Sequence, residues 1–293
     1  MPPLPRALGI FGYPLGHSLS PLMYETAIEH LHLSFRFQPY EVHPRDLPAA
    51  VQGIRALGIH GICVTIPHKE TIPPLLDGLS EEAQRVGAVN LVYREGDRLV
   101  GHNTDGIGFI RSLREEGRLD PRGLRALLLG AGGAARAVAA QLSKEGVFSL
   151  TIANRTLARG QALAARVGGL SPGLNVQAIS LGSRELAQAA VEADLIVNST
   201  SLGLAYSEGG DEGLPLSPQH IRPGQLVMDL VYNPLETPLL RLAKERGART
   251  LGGLGMLVYQ GAENFRIWTG SELPVGLVRL RMEAALKEAA PGN

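Results

Sequence analysis

A glycine-rich turn lies between a strand-like segment and a helix-like segment near the middle of this chain. The apolar run at 124–129 is short enough for a buried parallel strand, and the alanine-rich segment at 134–144 is typical of a helix. The turn between them reads Gly130-Ala131-Gly132-Gly133-Ala134-Ala135. Such glycines allow a tight turn and a close approach of the backbone to a pyrophosphate at the N-terminus of the helix. The arrangement predicts a Rossmann-type dinucleotide-binding unit. A flexible turn is the alternative, since Gly is 36 of the 293 residues.

The next strand-like segment indicates which dinucleotide is bound. Residues 149–153 are β-prone, and an acidic residue commonly follows such a strand to bind the ribose 2′-hydroxyl of NAD. Here the sequence is Asn154-Arg155-Thr156, with Arg159 close behind. A carboxylate repels the 2′-phosphate of NADP, whereas a guanidinium pairs with it bidentately. The sequence therefore predicts NADP and redox chemistry, unless both arginines belong only to a solvated helix start.

Length and composition favour a soluble protein of two domains. The chain has 293 residues, of which 44% are apolar and 5% aromatic, enough for ordinary aliphatic cores. The formal net charge is zero and no basic tract occurs, so neither nucleic acid nor an anionic membrane is an expected partner. The N-terminus lacks the pattern of an export signal, and no segment of about 18 apolar residues is present. We therefore expect a cytoplasmic protein that binds small neutral or anionic metabolites.

Metal binding is not expected from this sequence. Cys63 is the single cysteine, which excludes an intrachain disulfide and a cysteine zinc site. The eight histidines show no closely spaced pair of the kind that binds zinc from one helix face.

Short apolar strands alternate with helical patterns from Leu8 to Gly252, which is typical of an α/β fold. The predicted strands form two series, at 8–11, 35–42, 62–66 and 88–93, and at 124–129, 149–153, 195–198 and 226–230. The second series is more continuously apolar, as expected for a doubly wound sheet with helices on both faces. The last helical segments, near 254–268 and 274–290, are able to complete either domain. If they return to the first domain, Asp105 and the region of Gln260 lie at the hinge.

The first series contains polar residues that a plain core does not need. The segment Gly16-His17-Ser18-Leu19-Ser20-Pro21 places two hydroxyls just before a helical pattern. An N-cap serine followed by proline explains Ser20 as an ordinary helix start, but it does not explain Ser18. Two hydroxyls and unpaired N–H groups at a helix start form a receptor for a carboxylate or a phosphate.

Three further polar residues follow or interrupt predicted strands. Lys69 is one of only four lysines in a chain of 28 basic residues, and an ammonium is able to transfer its proton where a guanidinium is not. An exposed lysine at a helix start is the alternative. Asp105 follows a polar loop, where an Asx turn or a helix N-cap competes with a functional role. Asn90 lies in an apolar strand stretch, where an amide is costly unless it is hydrogen-bonded, and such amides are often structural.

Seven motifs in this order make the sequence resemble the shikimate dehydrogenase family, including its quinate/shikimate branch. The resemblance covers nearly the whole chain, roughly 8 to 268. The motifs are Gly16-His17-Ser18-Leu19-Ser20-Pro21, Val64-Thr65-Ile66-Pro67-His68-Lys69, Gly87-Ala88-Val89-Asn90, Asn103-Thr104-Asp105-Gly106, Gly130-Ala131-Gly132-Gly133-Ala134, Asn154-Arg155-Thr156, and Gly255-Met256-Leu257 through Gln260-Gly261-Ala262.

The resemblance implies NADP-linked interconversion of 3-dehydroshikimate and shikimate, a step of aromatic amino-acid (chorismate) biosynthesis. It implies a substrate domain of residues 1–105 completed by C-terminal helices at 255–293, and a Rossmann-type NADP domain at 106–254. Lys69 and Asp105 are the implied catalytic residues. The implied substrate-binding residues are Ser18, Ser20, Thr65, Asn90, Gln260 and Tyr232. The implied cofactor-binding residues are Gly130, Ala131, Gly132, Gly133, Ala134, Asn154, Arg155, Thr156, Arg159, Gly253 and Met256, the last two near the nicotinamide.

The reaction can be argued from these side chains. Hydride transfer to the C3 carbonyl carbon develops negative charge on oxygen, which needs a proton or a donor in the same step. Lys69 is the natural donor and Asp105 its orienting partner, although the residue that finally passes the proton stays open.

Two departures from the family pattern bear on substrate range. Cys63 occupies a place where shikimate-restricted members usually present an Asn to a ring hydroxyl, and Leu91 stands where a Thr commonly follows Asn90. A site that loses a hydroxyl-reading amide discriminates less well, so quinate is a second expected substrate. Equally, Cys63 fits a small buried hydrophobe with no substrate contact. A non-catalytic NADP-binding regulator on the same scaffold is the other alternative, and the chain is expected to be a monomer or a homodimer.

Overall fold

The computed structural model describes residues 4–16, 18–203 and 216–289 and divides the chain into two compact units. The first unit runs to Gly108 and resumes at Val258, and the second runs from Phe109 to Leu257. We call them the first unit and the second unit.

The first unit is built on a six-stranded mixed sheet in the order β2-β1-β3-β5-β6-β4. Its strands are β1 Arg6–Gly12, β2 Phe35–Glu41, β3 Gly61–Val64, β4 Gly78–Leu79, β5 Leu91–Glu95 and β6 Arg98–His102. β1 pairs in parallel with β2 and β3, whereas β5 runs antiparallel to both β3 and β6. The predicted strand at 88–93 therefore begins later than expected, and Asn90 lies just before β5 rather than inside it.

Helices pack on this sheet and fix the position of the chain end. Those of the first unit are α1 Ser20–His30, α2 Leu47–Ala56, α3 Glu81–Val86 and α10 Val275–Glu288, and the unit boundaries fall within α4 Asp105–Arg111 and α9 Leu254–Thr269. Trp268 near the end of α9 donates its indole N–H to the Val92 carbonyl oxygen at 3.2 Å. A Cβ on Gly61 would overlap this indole, so the glycine lets α9 pack closely on β3. The anchored helix carries Gln260 to the sheet.

The second unit contains a fully parallel sheet in the order β12-β11-β10-β7-β8-β9. Its strands are β7 Arg125–Leu129, β8 Ser149–Asn154, β9 Asn175–Ser180, β10 Leu195–Asn198, β11 Leu226–Asp229 and β12 Arg249–Leu251. Counted from β7, this is the strand order 3-2-1-4-5-6 of the Rossmann fold. The expected α/β fold class is confirmed.

Helices cover both faces of this sheet, as the apolar strands predicted. They are α5 Gly133–Glu145, α6 Leu157–Leu170, α7 Glu185–Glu192 and α8 Pro238–Glu245. Successive strand residues point to opposite faces. Leu128 and Val197 join one apolar cluster, whereas their neighbours Leu127 and Ile196 join another. Burial on both faces explains why these strands read as continuous apolar runs.

A buried carboxylate organises the loop after β11. Asp229 is fully buried and accepts hydrogen bonds from the Asn198 amide at 2.9 Å, the Thr237 hydroxyl at 2.7 Å and the Val231 N–H at 3.1 Å. Burial raises the pKa of Asp229 to about 6, although these three donors oppose the rise. The folded protein therefore binds a proton at a pH where an unfolded aspartate, with its usual pKa of 3.8, has released it.

This shift predicts a specific pH dependence of stability. The contribution of Asp229 is fully present below pH 3.8 and is lost as the pH rises through about 6. We expect the free energy of unfolding of the wild type, relative to Asp229→Asn, to fall by up to about 3 kcal/mol across this window. Chemical denaturation of both proteins at a series of pH values measures this difference, and a difference that is constant with pH would contradict the assignment.

Candidate active site

Lys69 and Asp105 meet in the first unit. Lys69 lies on a short 3₁₀ helix, His68–Glu70, after β3, and Asp105 is the first residue of α4 after β6. The Lys69 Nζ donates to Asp105 Oδ2 at 2.5 Å, and the two side chains are 15% and 5% exposed. The alternative of an exposed lysine at a helix start is wrong. The burial and short distance give a charge-assisted hydrogen bond that orients the ammonium.

The backbone around Lys69 is held on two sides. His68 is fully buried, and its Nε2 lies 2.7 Å from the Val42 carbonyl oxygen. A carbonyl only accepts, so this nitrogen carries the proton. Burial lowers the pKa of His68, which keeps the ring neutral near pH 7. On the other side the Lys69 carbonyl accepts from the Val89 N–H at 2.8 Å. These contacts fix the segment that presents the ammonium.

Asp105 is not the residue that caps its helix. The Asn103 side-chain oxygen accepts from the Asp105 N–H at 3.1 Å, so Asn103 forms the Asx turn that we had considered for Asp105. The Asp105 carboxylate instead accepts from Lys69 through Oδ2 and from the Asn90 amide through Oδ1 at 2.9 Å. The Asp105 carboxylate therefore has no capping role, and its two oxygens bind Lys69 and Asn90.

Asn90 has a partner for each of its polar groups. Its Oδ1 accepts from the Thr104 N–H at 2.9 Å, which identifies the other amide atom as the nitrogen. That nitrogen lies 2.9 Å from both Thr104 Oγ1 and Asp105 Oδ1, and 3.1 Å from Gln260 Oε1. These hydrogen bonds compensate the free-energy cost of burying the Asn90 amide. Asn90 also links Gln260 on α9 to the Asp105 carboxylate.

Ser18, Ser20 and Thr65 lie beyond the C-terminal ends of the parallel neighbours β1 and β3. Leu19 rather than Ser20 is the N-cap of α1, and no side chain caps this helix, so the N-cap explanation for Ser20 is wrong. The Ser18 hydroxyl accepts from the Ser20 N–H at 3.3 Å. Both hydroxyls therefore stand at the first turn of α1, where the helix dipole favours an anion.

The glycine turn of the second unit leaves room for a dinucleotide phosphate. Gly130 has φ +109°, and a Cβ there would overlap the Ser199 hydroxyl, so this position requires glycine. Gly132 is the N-cap of α5 without a side-chain cap, and a Cβ on it would meet no atom within 4 Å. The start of α5 therefore has open space beside Gly132 and no side chain that caps it, which fits a pyrophosphate.

The end of β8 carries basic rather than acidic side chains. Asn154 ends the strand and donates from its amide to the Thr156 carbonyl oxygen at 2.8 Å. Arg155 and Arg159 are exposed at the start of α6. With no carboxylate at this strand end, the surface fits the 2′-phosphate of NADP.

Three other predicted residues lie elsewhere in the second unit. Tyr232 is half-buried just after β11. A Cβ on Gly253 would overlap the Leu230 carbonyl oxygen, so this glycine has a packing role of its own. Met256 is 7% exposed and belongs to an apolar cluster of this unit. Met256 therefore packs as a core residue does.

Cys63 and Leu91 face each other across β3 and β5. Leu91 is fully buried, and burial raises the pKa of the Cys63 thiol to about 12, so the thiol stays neutral. The Cys63 sulfur lies 3.4 Å from both the Tyr24 hydroxyl and the Asn264 amide nitrogen.

Three polar residues of this region were not predicted from the sequence: Tyr24, Thr104 and Asn264. A signal for Asn264 was present, because two amides four residues apart on the apolar helix α9 lie on one face.

Within the described ranges, no cluster of three or more His, Cys, Asp or Glu residues is arranged to hold a metal ion. In the same ranges, every helix is too short or too polar to cross a bilayer.

The two units together define a class of protein. The second unit has the sheet order and glycine turn of dinucleotide-binding proteins, and the first unit contains a buried ammonium–carboxylate pair. This combination is that of a two-domain oxidoreductase that uses a nicotinamide dinucleotide.

Comparison with known proteins identifies the family. Residues 10–92 match the model of the shikimate dehydrogenase substrate binding domain, residues 115–206 that of shikimate/quinate 5-dehydrogenase, and residues 253–280 that of the shikimate 5′-dehydrogenase C-terminal domain. A protein of Geobacter metallireducens named shikimate dehydrogenase (NADP(+)) is 49% identical over 282 residues, which are 96% of this chain and 97% of that protein. The chain belongs to the shikimate dehydrogenase family, as its motifs predicted.

Solved structures agree with this assignment. A shikimate dehydrogenase in complex with NADP+ superposes with a TM-score of 0.87 at 37% identity, covering 96% of each chain. The enzyme of Thermus thermophilus in complex with NADP(H) and shikimate gives a TM-score of 0.83 at 37% identity, covering 96% of this chain and 99% of that one.

Proposed function

We propose that this protein catalyses the reversible NADP-dependent reduction of 3-dehydroshikimate to shikimate. The observation that carries the proposal is the buried contact of 2.5 Å between Lys69 Nζ and Asp105 Oδ2. A pair of this kind supplies a proton next to a carboxylate that holds the donor in place. The names of the relatives, shikimate dehydrogenase (NADP(+)), support both the substrate and the cofactor.

The substrate is held by groups at the ends of β1, β3 and β6. Ser18 and Ser20 bind its carboxylate, because two hydroxyls at the start of α1 hold an anion without a full opposing charge. The ring hydroxyls are bound by the remaining polar residues of this region, and Tyr232 is a further proposed substrate-binding residue. These residues are Thr65, Lys69, Asn90, Asp105 and Gln260.

Lys69 is the proton donor in this proposal. Both Asp105 oxygens accept hydrogen bonds, from Lys69 and from Asn90, so the carboxylate acts as an acceptor and the ammonium holds the transferable proton. When bound, NADPH supplies the hydride to the C3 carbonyl carbon. Lys69 then gives its proton to the oxygen that becomes negative, and Asp105 keeps the nitrogen aimed at that oxygen. In the reverse direction the neutral amine takes the proton from the C3 hydroxyl.

The second unit holds the cofactor through backbone and basic groups. The turn from Gly130 to Ala134 and the start of α5 bind the pyrophosphate. Asn154, Arg155, Thr156 and Arg159 surround the 2′-phosphate. Gly253 and Met256 are the residues that would lie near the nicotinamide. We further propose that the protein acts in the cytoplasm, because its substrate and cofactor are small metabolites. We also propose that it is a monomer or a homodimer.

Quinate is the second candidate substrate. The matching model for residues 115–206 is described as shikimate/quinate 5-dehydrogenase, and Cys63 provides only a neutral thiol in the substrate region. A non-catalytic NADP-binding regulator stays the third possibility, and the buried Lys69–Asp105 pair argues against it.

An absorbance assay at 340 nm tests these alternatives. The purified protein is offered shikimate or quinate with NADP or NAD. We expect rapid reduction with shikimate and NADP, and a kcat/KM for NAD lower by about 10-fold or more, because a 2′-phosphate–arginine pair is worth more than about 1.4 kcal/mol. Comparable rates with quinate indicate the broader enzyme. Absence of reduction in every combination would overturn the proposed activity in favour of the regulator.

A further inference from the structure

A second layer of polar residues lies behind the Lys69–Asp105 pair. Its centre is Asn264, which is fully buried on α9, one helical turn after Gln260. The other members are Thr104, which is fully buried, and Gln260, which is 8% exposed. Buried amides and hydroxyls are costly unless their donors and acceptors match, so their mutual orientation is strongly determined.

Asn264 determines the direction of the Thr104 hydroxyl. The single hydroxyl hydrogen has three acceptors within reach: Asn264 Oδ1 at 2.7 Å, the Gln260 carbonyl oxygen at 3.3 Å and Asn90 Oδ1 at 3.4 Å. The shortest of these is the strongest, so the hydroxyl donates to Asn264. Its lone pairs are then available to the Asn90 amide nitrogen at 2.9 Å. In this arrangement Asn90 also donates to Asp105.

Asn264 also determines which end of the Gln260 amide faces the cluster. Gln260 Oε1 lies 3.2 Å from Asn264 Nδ2 and 3.1 Å from Asn90 Nδ2. A rotated Gln260 amide would place its NH₂ group against two other NH₂ groups, which only donate. The Asn264 amide has two N–H groups. With one directed to Gln260, the other has the Tyr24 hydroxyl at 3.2 Å and the Cys63 sulfur at 3.4 Å as acceptors within reach.

We propose that Asn264 is a positioning residue that fixes the donor and acceptor pattern with which Gln260, Asn90 and Asp105 bind the ring hydroxyls of the substrate. The inference rests on the proposed function, since it concerns the same substrate site. Asn264 touches the binding residues rather than the reacting atoms, so it governs substrate affinity more than the chemical step. It also brings an amide nitrogen from α9 within 3.4 Å of the Cys63 sulfur.

The first variant replaces the amide by an apolar group of similar size. In Asn264→Leu the Gln260 amide loses one of two donors and the Thr104 hydroxyl loses its best acceptor. We expect the KM for shikimate to rise about 10-fold, with kcat changed less than about threefold, because the cost falls on ground-state and transition-state binding alike. The KM for NADP stays at the wild-type value, since these contacts all lie in the first unit.

The second variant, Asn264→Asp, is expected to make the KM for shikimate depend on pH. A residue with only a structural role would not have this effect. A protonated carboxyl both donates to Gln260 and accepts from Thr104, as the amide does, whereas an ionised carboxylate only accepts. The KM of this variant for shikimate is therefore expected to approach the wild-type value at low pH and to rise as the pH increases. The ratio of its KM to that of the wild type is measured from pH 5 to pH 9. A ratio that stays well above 1 even at pH 5 overturns the proposal.

Tyr24→Phe is the matched control. It removes another hydrogen-bond partner of Asn264 but leaves Thr104 and Gln260 untouched, so the KM for shikimate is expected to stay within about twofold. Unfolding transitions of all variants are recorded in parallel. If the leucine variant does not fold, Asn264→Asp at low pH still tests the proposal, because its neutral form restores the partners on which the proposal rests, Thr104 and Gln260.

Calorimetric titration of shikimate into the cofactor-free protein, where no oxidant is present and no turnover occurs, separates this inference from the proposed function. If the wild type binds shikimate but does not oxidise it when NADP is added, the proposed reaction fails while the Kd values of the variants still test Asn264. A wild-type Kd in Asn264→Leu, or no shikimate binding by the wild type, overturns the inference. A weakened Kd in the leucine variant and a pH-dependent Kd in the aspartate variant support it.

Discussion

Replacing Lys69 with alanine is expected to lower kcat for shikimate oxidation by about 100-fold or more, while KM changes much less. The ammonium matters chiefly where charge develops on the substrate oxygen, and alanine offers neither a proton nor a hydrogen-bond donor there. The variant also leaves the Asp105 carboxylate, whose side chain is 5% exposed, without its charged partner. Steady-state kinetics at saturating NADP measures both parameters, and circular dichroism checks that the protein remains folded.

Two control variants make this result specific. Lys69→Arg keeps the positive charge beside Asp105 but does not release a proton, so a kcat as low as that of the alanine variant indicates proton transfer. Lys287→Ala removes an exposed lysine on α10 and is expected to keep the wild-type kcat. An unchanged kcat in Lys69→Ala would remove Lys69 from the mechanism.

The sequence predicted the second unit better than the first, for a physical reason. Strands β7, β8, β10 and β11 are covered on both faces, so their apolar runs identify them directly. The strands at 175–180 and 249–251 lie at the edges of this sheet and carry partly exposed residues, and both were missed. In the first unit, β4 has only two residues, and the antiparallel hairpin of β5 and β6 turns at Gly96 with polar neighbours. Neither leaves a periodic apolar pattern.

The residues of the candidate site also differ in how well the sequence predicted them. Lys69 and Asp105 could be found from residue type, because lysine is rare in this chain and each residue follows a strand. The spacing of Gln260 and Asn264 places both amides on one face of α9, but the contacts of Asn264 with Thr104 and Tyr24 could not be predicted, since they arise only in the folded structure. The Asx turn of Asn103 before α4 was also missed, because Asn and Asp two residues apart compete equally for an Asx turn in a sequence.

Choice of NADP over NAD is expected to depend most on Arg155. In Arg155→Leu, the KM for NADP is expected to rise about 10- to 100-fold, because a charge-assisted hydrogen bond to phosphate is worth about 1.5 to 3 kcal/mol. The KM for NAD should change less than about twofold, since NAD has no 2′-phosphate to lose a partner. Initial rates with each cofactor at saturating shikimate give both values.

Arg166→Leu is the matched control for this substitution. Arg166 is also exposed, but it lies within α6, whereas Arg155 precedes this helix directly at the strand end that is proposed to receive the ribose. Both variants remove one positive charge, so a general electrostatic attraction of the anionic cofactor would weaken NADP binding equally in the two. A selective loss in Arg155→Leu therefore identifies a local contact with the 2′-phosphate, whereas equal KM values for NADP in the two variants would assign the preference to the overall field.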